Sequence, residues 1–188
     1  MKLEGKKIAV LLAEGFEDLE YWVTVMRLQE EGAEVVTVGP NKEEVSGKNA
    51  LTAQADATAD EVVAETLDGV VIPGGWAPDK LRRYEGITDL VKTVHEGGKT
   101  VGIICHGGLV AISAGIVGGA RATGSLGVKD DLVNAGATWV DEAAFRDGNL
   151  VWGRVVADIP DFNRELVAAL AEGQERSYTN VHTNEGAG

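Results

Sequence analysis

The chain carries a single cysteine, Cys105, followed directly by His106, Gly107 and Gly108. It ends the β-forming run Thr100-Val-Gly-Ile-Ile104, and Leu109, Val110 and Ile112 beyond it have helical spacing. A strand that turns sharply into a helix lifts the side chain at the turn to the carboxyl edge of a sheet. The helix then faces that side chain with unpaired N–H groups and partial positive charge. A thiol in that position is expected to lose its proton below the free value of about 8.5. This is the elbow that presents a hydrolase nucleophile, with sulfur replacing oxygen. A lone cysteine after an apolar run also suits a small buried hydrophobe. The His-Gly-Gly sequence and a second glycine turn upstream favour the reactive reading.

That second turn is Pro73-Gly74-Gly75, which ends the apolar run Gly69-Val-Val-Ile72. Glycine there permits positive φ and close backbone approach, so amides can point into a pocket. A plain strand-to-helix turn has the same composition. In a doubly wound sheet the turn shares its edge with Cys105, where ligands bind, and this favours an oxyanion site. A third turn, Ala13-Glu14-Gly15-Phe16-Glu17-Asp18, lacks the G-x-G-x-x-G spacing of a dinucleotide site, and its carboxylates repel a pyrophosphate. Glu17, Asp18 and Glu20 fall in a first helical turn, where negative charge suits the dipole. That accounts for two of them and leaves the third to lean toward Cys105.

The elements that must position these turns follow from periodicity. Residues 7–13 read as a central parallel strand, and Leu19, Trp22, Val23 and Met26 as the apolar face of a helix ended by Gly32. Residues 34–39 complete a βαβ unit. Ser46-Gly47 and Thr52–Gln54 suggest a hairpin excursion, and residues 59–67 a short helix. Pro78-Asp79 opens another helix, which residues 87–96 continue with apolar Ile87, Leu90, Val91 and Val94, and His95 near its end has a structural role. Residues 121–125 read as a strand, 129–135 as a helix, and 138–140, 144–146 and 150–153 as late strands, with Asp147-Gly148-Asn149 as a turn. Asp158 or Asp161 caps a last helix through Leu170. Residues 173–188 read as a polar tail, with His182 incidental, after a single α/β domain over residues 1–172. The whole predicts an α/β sandwich with a largely parallel sheet.

Composition narrows the function. Hydrophobic residues make up 44% and charged residues 25% of 188, as in ordinary globular domains. One cysteine excludes an internal disulfide and a multi-cysteine metal site. A net charge of −13 disfavours nucleic acid, which needs clustered Lys and Arg, and the basic Lys80-Leu81-Arg82-Arg83 reads as a solvated helix face. Neither a secretory leader nor a bilayer-length apolar run stands out, so a cytoplasmic location away from membranes is expected. The four tryptophans and three phenylalanines are spread along the chain and suit core or interface positions.

In order along the chain stand Ala13-Glu-Gly-Phe-Glu-Asp-Leu-Glu20, Pro73-Gly-Gly-Trp-Ala-Pro-Asp79, Ile104-Cys-His-Gly107, Ile112-Ser-Ala-Gly115, Val128-Lys-Asp-Asp-Leu-Val-Asn-Ala-Gly-Ala137 and Val140-Asp-Glu142. This series resembles the PfpI/ThiJ superfamily, in particular its intracellular-protease-like PfpI branch, from about residue 7 to residue 170. The resemblance implies a flavodoxin-like three-layer αβα sandwich that forms a homodimer, or a hexamer, and needs no cofactor or metal. It implies Cys105 as nucleophile with His106 as its partner, and Asp79 reaching that histidine from a neighbouring subunit. Glu20 is implied to hydrogen-bond the sulfur, with Glu17 as a second acidic position nearby. Backbone amides of Gly75 and His106, next to Gly74, are implied as the oxyanion hole. Three positions depart from the pattern: Gly108 replaces the usual proline, Ser125 stands where some members carry a tyrosine, and Ile103 is larger than usual before an elbow. The expected role is a stress-response protein whose thiol processes reactive carbonyl compounds. A cysteine peptidase acting on peptides and a non-enzymatic peroxide sensor or holdase use the same parts.

Overall fold

A computed structural model describes residues 1–184, with side chains through Gly173. In chain order the elements are β1 (Lys7–Leu11), α1 (Asp18–Glu30), β2 (Glu34–Gly39), β3 (Glu44–Ser46), β4 (Thr52–Gln54), β5 (Ala57–Thr58), β6 (Gly69–Ile72), α2 (Ala77–Leu81) and α3 (Glu85–Glu96). There follow β7 (Thr100–Ile104), α4 (Gly108–Ser113), β8 (Arg121–Ala122), α5 (Lys129–Asn134), β9 (Thr138–Trp139), β10 (Ala144–Asp147), β11 (Leu150–Gly153) and α6 (Ile159–Asn184). The central sheet has the order β10-β11-β7-β6-β1-β2-β5 and is parallel except for the β10–β11 hairpin.

β6 and β7 are buried along their whole length, as strands covered on both faces require, which is why they read as unbroken apolar runs. α1 and α6 pack together on one face of the sheet, while α2, α3, α4 and α5 pack side by side on the other. The result is the expected flavodoxin-like sandwich. Strand order reverses between β1 and β6, and the carboxyl ends of those strands and of β7 carry the three turns singled out above. Among the described residues no helix is long and apolar enough to cross a membrane.

Several local expectations change. Residues 59–67 form two single 3-10 turns, Ala59–Glu61 and Ala64–Thr66, rather than a helix. The strand expected over 121–125 stops at Ala122 and pairs only with β9, outside the main sheet. Its continuation is drawn under the β7 turn, where the Ser125 N–H donates to the Cys105 carbonyl at 3.2 Å. Asp158 precedes α6, but its carboxylate is held by Arg154 through two hydrogen bonds of 2.9 and 3.2 Å. Asp161 pairs instead with Arg164. α6 continues past Leu170 to Asn184, through most of the segment read as a tail. The side chain of His182 and residues 185–188 lie outside what is described.

Candidate active site

Cys105 leaves β7 with φ of +59°, one of two non-glycine residues in the described chain with positive φ. A left-handed conformation at a residue with a side chain is strained and persists where its surroundings enforce it. Here the next residues are forced inward: a Cβ on Gly107 would lie 2.4 Å from the Ile72 carbonyl oxygen. The chain therefore makes one 3-10 turn, Cys105–Gly107, before α4 begins at Gly108 with helical φ and ψ, despite the missing proline. This strained turn brings the His106 ring back onto its neighbour, with Nδ1 3.3 Å from Cys105 Sγ. Consecutive helical residues would diverge by about 100° and could not meet in this way.

The turn after β6 supplies the facing wall. A Cβ on Gly74 would sit 2.6 Å from Glu20 Oε2 and 2.8 Å from the Cys105 Cβ, so no larger residue fits between them. Gly75, at φ +81°, bridges to Phe16, and the Glu17 N–H donates to the Gly74 carbonyl at 3.1 Å. The backbone N–H groups of Gly75 and His106 are directed at the Cys105 sulfur and favour its ionised form.

The three acidic residues of the first turn divide the work. Glu17 is the N-cap of α1, its Oε2 accepting from the Leu19 and Glu20 N–H groups at 2.9 Å each. Asp18 accepts from the Asn49 and Leu51 N–H groups at 2.9 and 2.8 Å and holds the β3–β4 turn down. Glu20 leans inward with no exposed surface and accepts the Gly74 N–H at 2.6 Å. Burial, with the Glu17 charge adding to it, raises the Glu20 pKa to about 7.

The thiol departs from expectation. Its pKa is pushed up to about 12 instead of down, first by burial and then by the neighbouring Glu20 charge, against the pull of the two amides. α4 has only six residues, so little helix dipole opposes that burial. Cys105 and Glu20 thus form a pair that does not readily carry two negative charges. Burial also lowers the His106 pKa, with the Lys48 charge adding to the effect, which keeps the ring neutral near pH 7.

Cys105, His106, Glu20, Gly74 and Gly75 therefore come together, with Glu17 one step behind. Asp79 does not join them within the chain. It lies on the exposed side of α2, paired with Arg83 one turn along. A cavity of about 320 Å³ at the ends of β1 and β2 is lined by Glu14, Asn41, Lys80 and Tyr84, among others, and Cys105 is not in its walls. Two nearby residues escaped the sequence reading. Lys48 and Trp76 meet at this edge, the amine 5.7 Å from the ring centroid, and Trp76 is largely exposed rather than core. Lys48 sits in a hairpin excursion whose docking depends on Asp18, a contact with no local sequence signal.

Known proteins resemble this chain over most of its length. A deglycase of Pyrococcus horikoshii is 40% identical over 164 residues, covering 87% of this chain and 99% of its own. General stress protein 18 of Bacillus subtilis is 39% identical over 169 residues, covering 88% and 98%. Among solved structures, a two-domain protein from Anabaena variabilis with DJ-1/ThiJ/PfpI-like and ferritin-like domains superposes with a TM-score of 0.86 at 40% identity. That match covers 88% of this chain and 48% of the larger one. The DJ-1/PfpI family model matches residues 6–169, a span that contains all three strand-end turns, and the chain belongs to that family.

Proposed function

We propose that this chain is a cysteine-dependent enzyme that converts reactive α-oxoaldehydes, and their early adducts with amines, into 2-hydroxy acids. The observation that carries the reading is the strained Cys105 thiol, faced by the Gly75 and His106 amides and by a buried carboxyl that titrates near 7. The deglycase among its relatives supports the same chemistry.

In this reading the sulfur adds to the aldehyde carbon while its proton passes, by way of Glu20, to the carbonyl oxygen. The product is a hemithioacetal whose oxygen is held by the two amides as charge builds. When the aldehyde arrives as an amine adduct, the amine leaves as the sulfur adds. Glu20 or neutral His106 then moves the C1 proton to C2. C1 is oxidised and C2 reduced within one molecule, leaving the thioester of a 2-hydroxy acid. Water hydrolyses that thioester and returns the thiol, so one water is consumed and no oxidant is needed.

Peptide hydrolysis ranks lower because it makes a carboxylate that orients His106 indispensable, a contact that only assembly of two chains would create since Asp79 pairs with Arg83 in its own chain, whereas the carbonyl chemistry already has Glu20 beside the sulfur. As part of the same proposal, the chain works as a homodimer in which Asp79 of the partner subunit supplies that contact.

The test is methylglyoxal consumption with lactate formation, comparing wild type and Cys105→Ala at equal oligomeric state. Turnover well above buffer is expected in the wild type, falling to the buffer rate in the variant. Equal, negligible rates would overturn the reading and leave the peroxide-sensing or peptidase chemistry to account for the elbow.

A further inference from the structure

Residues 46–51 are pinned onto the first turn of the chain at several points. The Gly15 N–H donates to the Ser46 carbonyl at 2.8 Å, and the Lys48 N–H to the Phe16 carbonyl at 2.9 Å. Asp18 takes the Asn49 and Leu51 amides, and the Asn49 side chain reaches Glu17 at 3.5 Å. The backbone of Lys48 is thereby fixed beside the strand ends while its side chain stays exposed. Its amine lies over the ring of the exposed Trp76, the residue directly after Gly75, and a Cβ on Gly15 would come within 3.1 Å of that ring. Among the described residues no carboxylate pairs with that amine.

The setting makes this cation matter. The chain carries a net charge of −13, and Glu17, Asp18 and Glu20 crowd the site, so an approaching anion meets repulsion. Lys48 is the cation felt at both Glu20 and His106, the two groups flanking the sulfur. A single ammonium over an aromatic face, beside an α1 N-terminus already capped by the Glu17 carboxylate, suits a monoanion rather than a phosphate dianion. We infer that Lys48, held over Trp76, forms a carboxylate subsite that selects α-oxoaldehydes carrying a carboxylate over neutral ones. The substrate class rests on the carbonyl chemistry proposed above, whereas the subsite itself rests on the position of Lys48.

The test separates the two. Because the chain has one cysteine, alkylation by iodoacetate and by iodoacetamide reports on Cys105 alone. Both reagents consume the same thiolate, so any change in its pKa cancels in their rate ratio. The wild-type ratio is expected to exceed that of free cysteine at low salt and to fall about fivefold in Lys48→Gln. It should be retained in Lys48→Arg and fall toward the variant's value in 0.5 M salt, on the order of screening expected for an exposed charge. In turnover, kcat/KM for 4,5-dioxopentanoate, which gains one water to become 2-hydroxyglutarate, should drop by a similar factor in Lys48→Gln. Methylglyoxal, which carries no charge, reports only the influence of Lys48 on Glu20 and His106, so the drop is read as the ratio of the two kcat/KM values, in which that shared influence cancels. An alkylation ratio unchanged in Lys48→Gln overturns the subsite, even if methylglyoxal is turned over. A ratio that falls while neither aldehyde is consumed keeps the subsite and removes the carbonyl chemistry.

Discussion

At the scale of single residues the decisive pair is Glu20 and Cys105. Glu20 has no exposed surface, and its pKa rises from 4.5 to about 7 chiefly through burial. Between those values the folded chain keeps a proton that the unfolded chain has released, so stability falls as pH rises through the window. The full cost, about 3 kcal/mol, is present by pH 8. Glu20→Gln removes the charge and should be more stable than wild type at pH 8 by about that amount, and equal to it below about pH 4.5. Urea unfolding at the two pH values checks this. Turnover should move the opposite way. The pair sheds its first proton near 7, so wild-type kcat/KM should rise about tenfold per pH unit up to that value and level off above it. Glu20→Gln, unable to hold or pass the proton, should lose at least about a hundredfold, in the range general acid–base groups contribute. The strand, the thiol and the glycines of this pair were legible in the sequence. The direction of the thiol's shift was not, because it depends on how deeply the turn is buried and on the carboxyl from α1 that faces it.

Among the elements, α1 shows where periodicity misleads. Leu19, Trp22, Val23 and Met26 form a regular apolar face, yet Leu19, Val23 and Met26 are exposed and Trp22 only partly buried. The buried face is Asp18, Glu20, Tyr21, Thr24, Val25 and Leu28. It is polar because it meets partners a pattern cannot foresee: Thr24 donates to Asn163 of α6 at 3.0 Å, Tyr21 hydrogen-bonds Thr37 at 2.8 Å, and Glu20 and Asp18 serve the site. Leu28→Ala, which empties a fully buried position, should cost about 2–5 kcal/mol, while Met26→Lys should stay within about 0.5 kcal/mol. Chemical denaturation distinguishes the faces, and equal effects would reverse the assignment. The apolar runs of β1, β6 and β7 carried no such ambiguity, since a strand covered on both faces has no face to mistake.

For the whole molecule the open contact is Asp79. Its partner within the chain is Arg83, on an exposed helix surface where an ion pair contributes little. Asp79→Asn should therefore leave the melting temperature within about 2 °C. If the dimer proposed above assembles the His106 contact, the same variant should lose turnover severalfold, and wild-type turnover per chain should fall on dilution below the dimer's dissociation range. Unchanged activity in the variant would separate Asp79 from the chemistry. The sequence by itself determined the doubly wound sandwich, because buried parallel strands and glycine turns leave a local record in residue type and spacing. It also determined which turns meet at the carboxyl edge, since strand order follows from βαβ connectivity. Only the tertiary structure decided which acid of the first turn reaches the sulfur, that the thiol's pKa rises, and that Lys48 arrives beside Trp76. Those outcomes depend on burial and on contacts between residues far apart in the chain, and neither is written in any local run of residues.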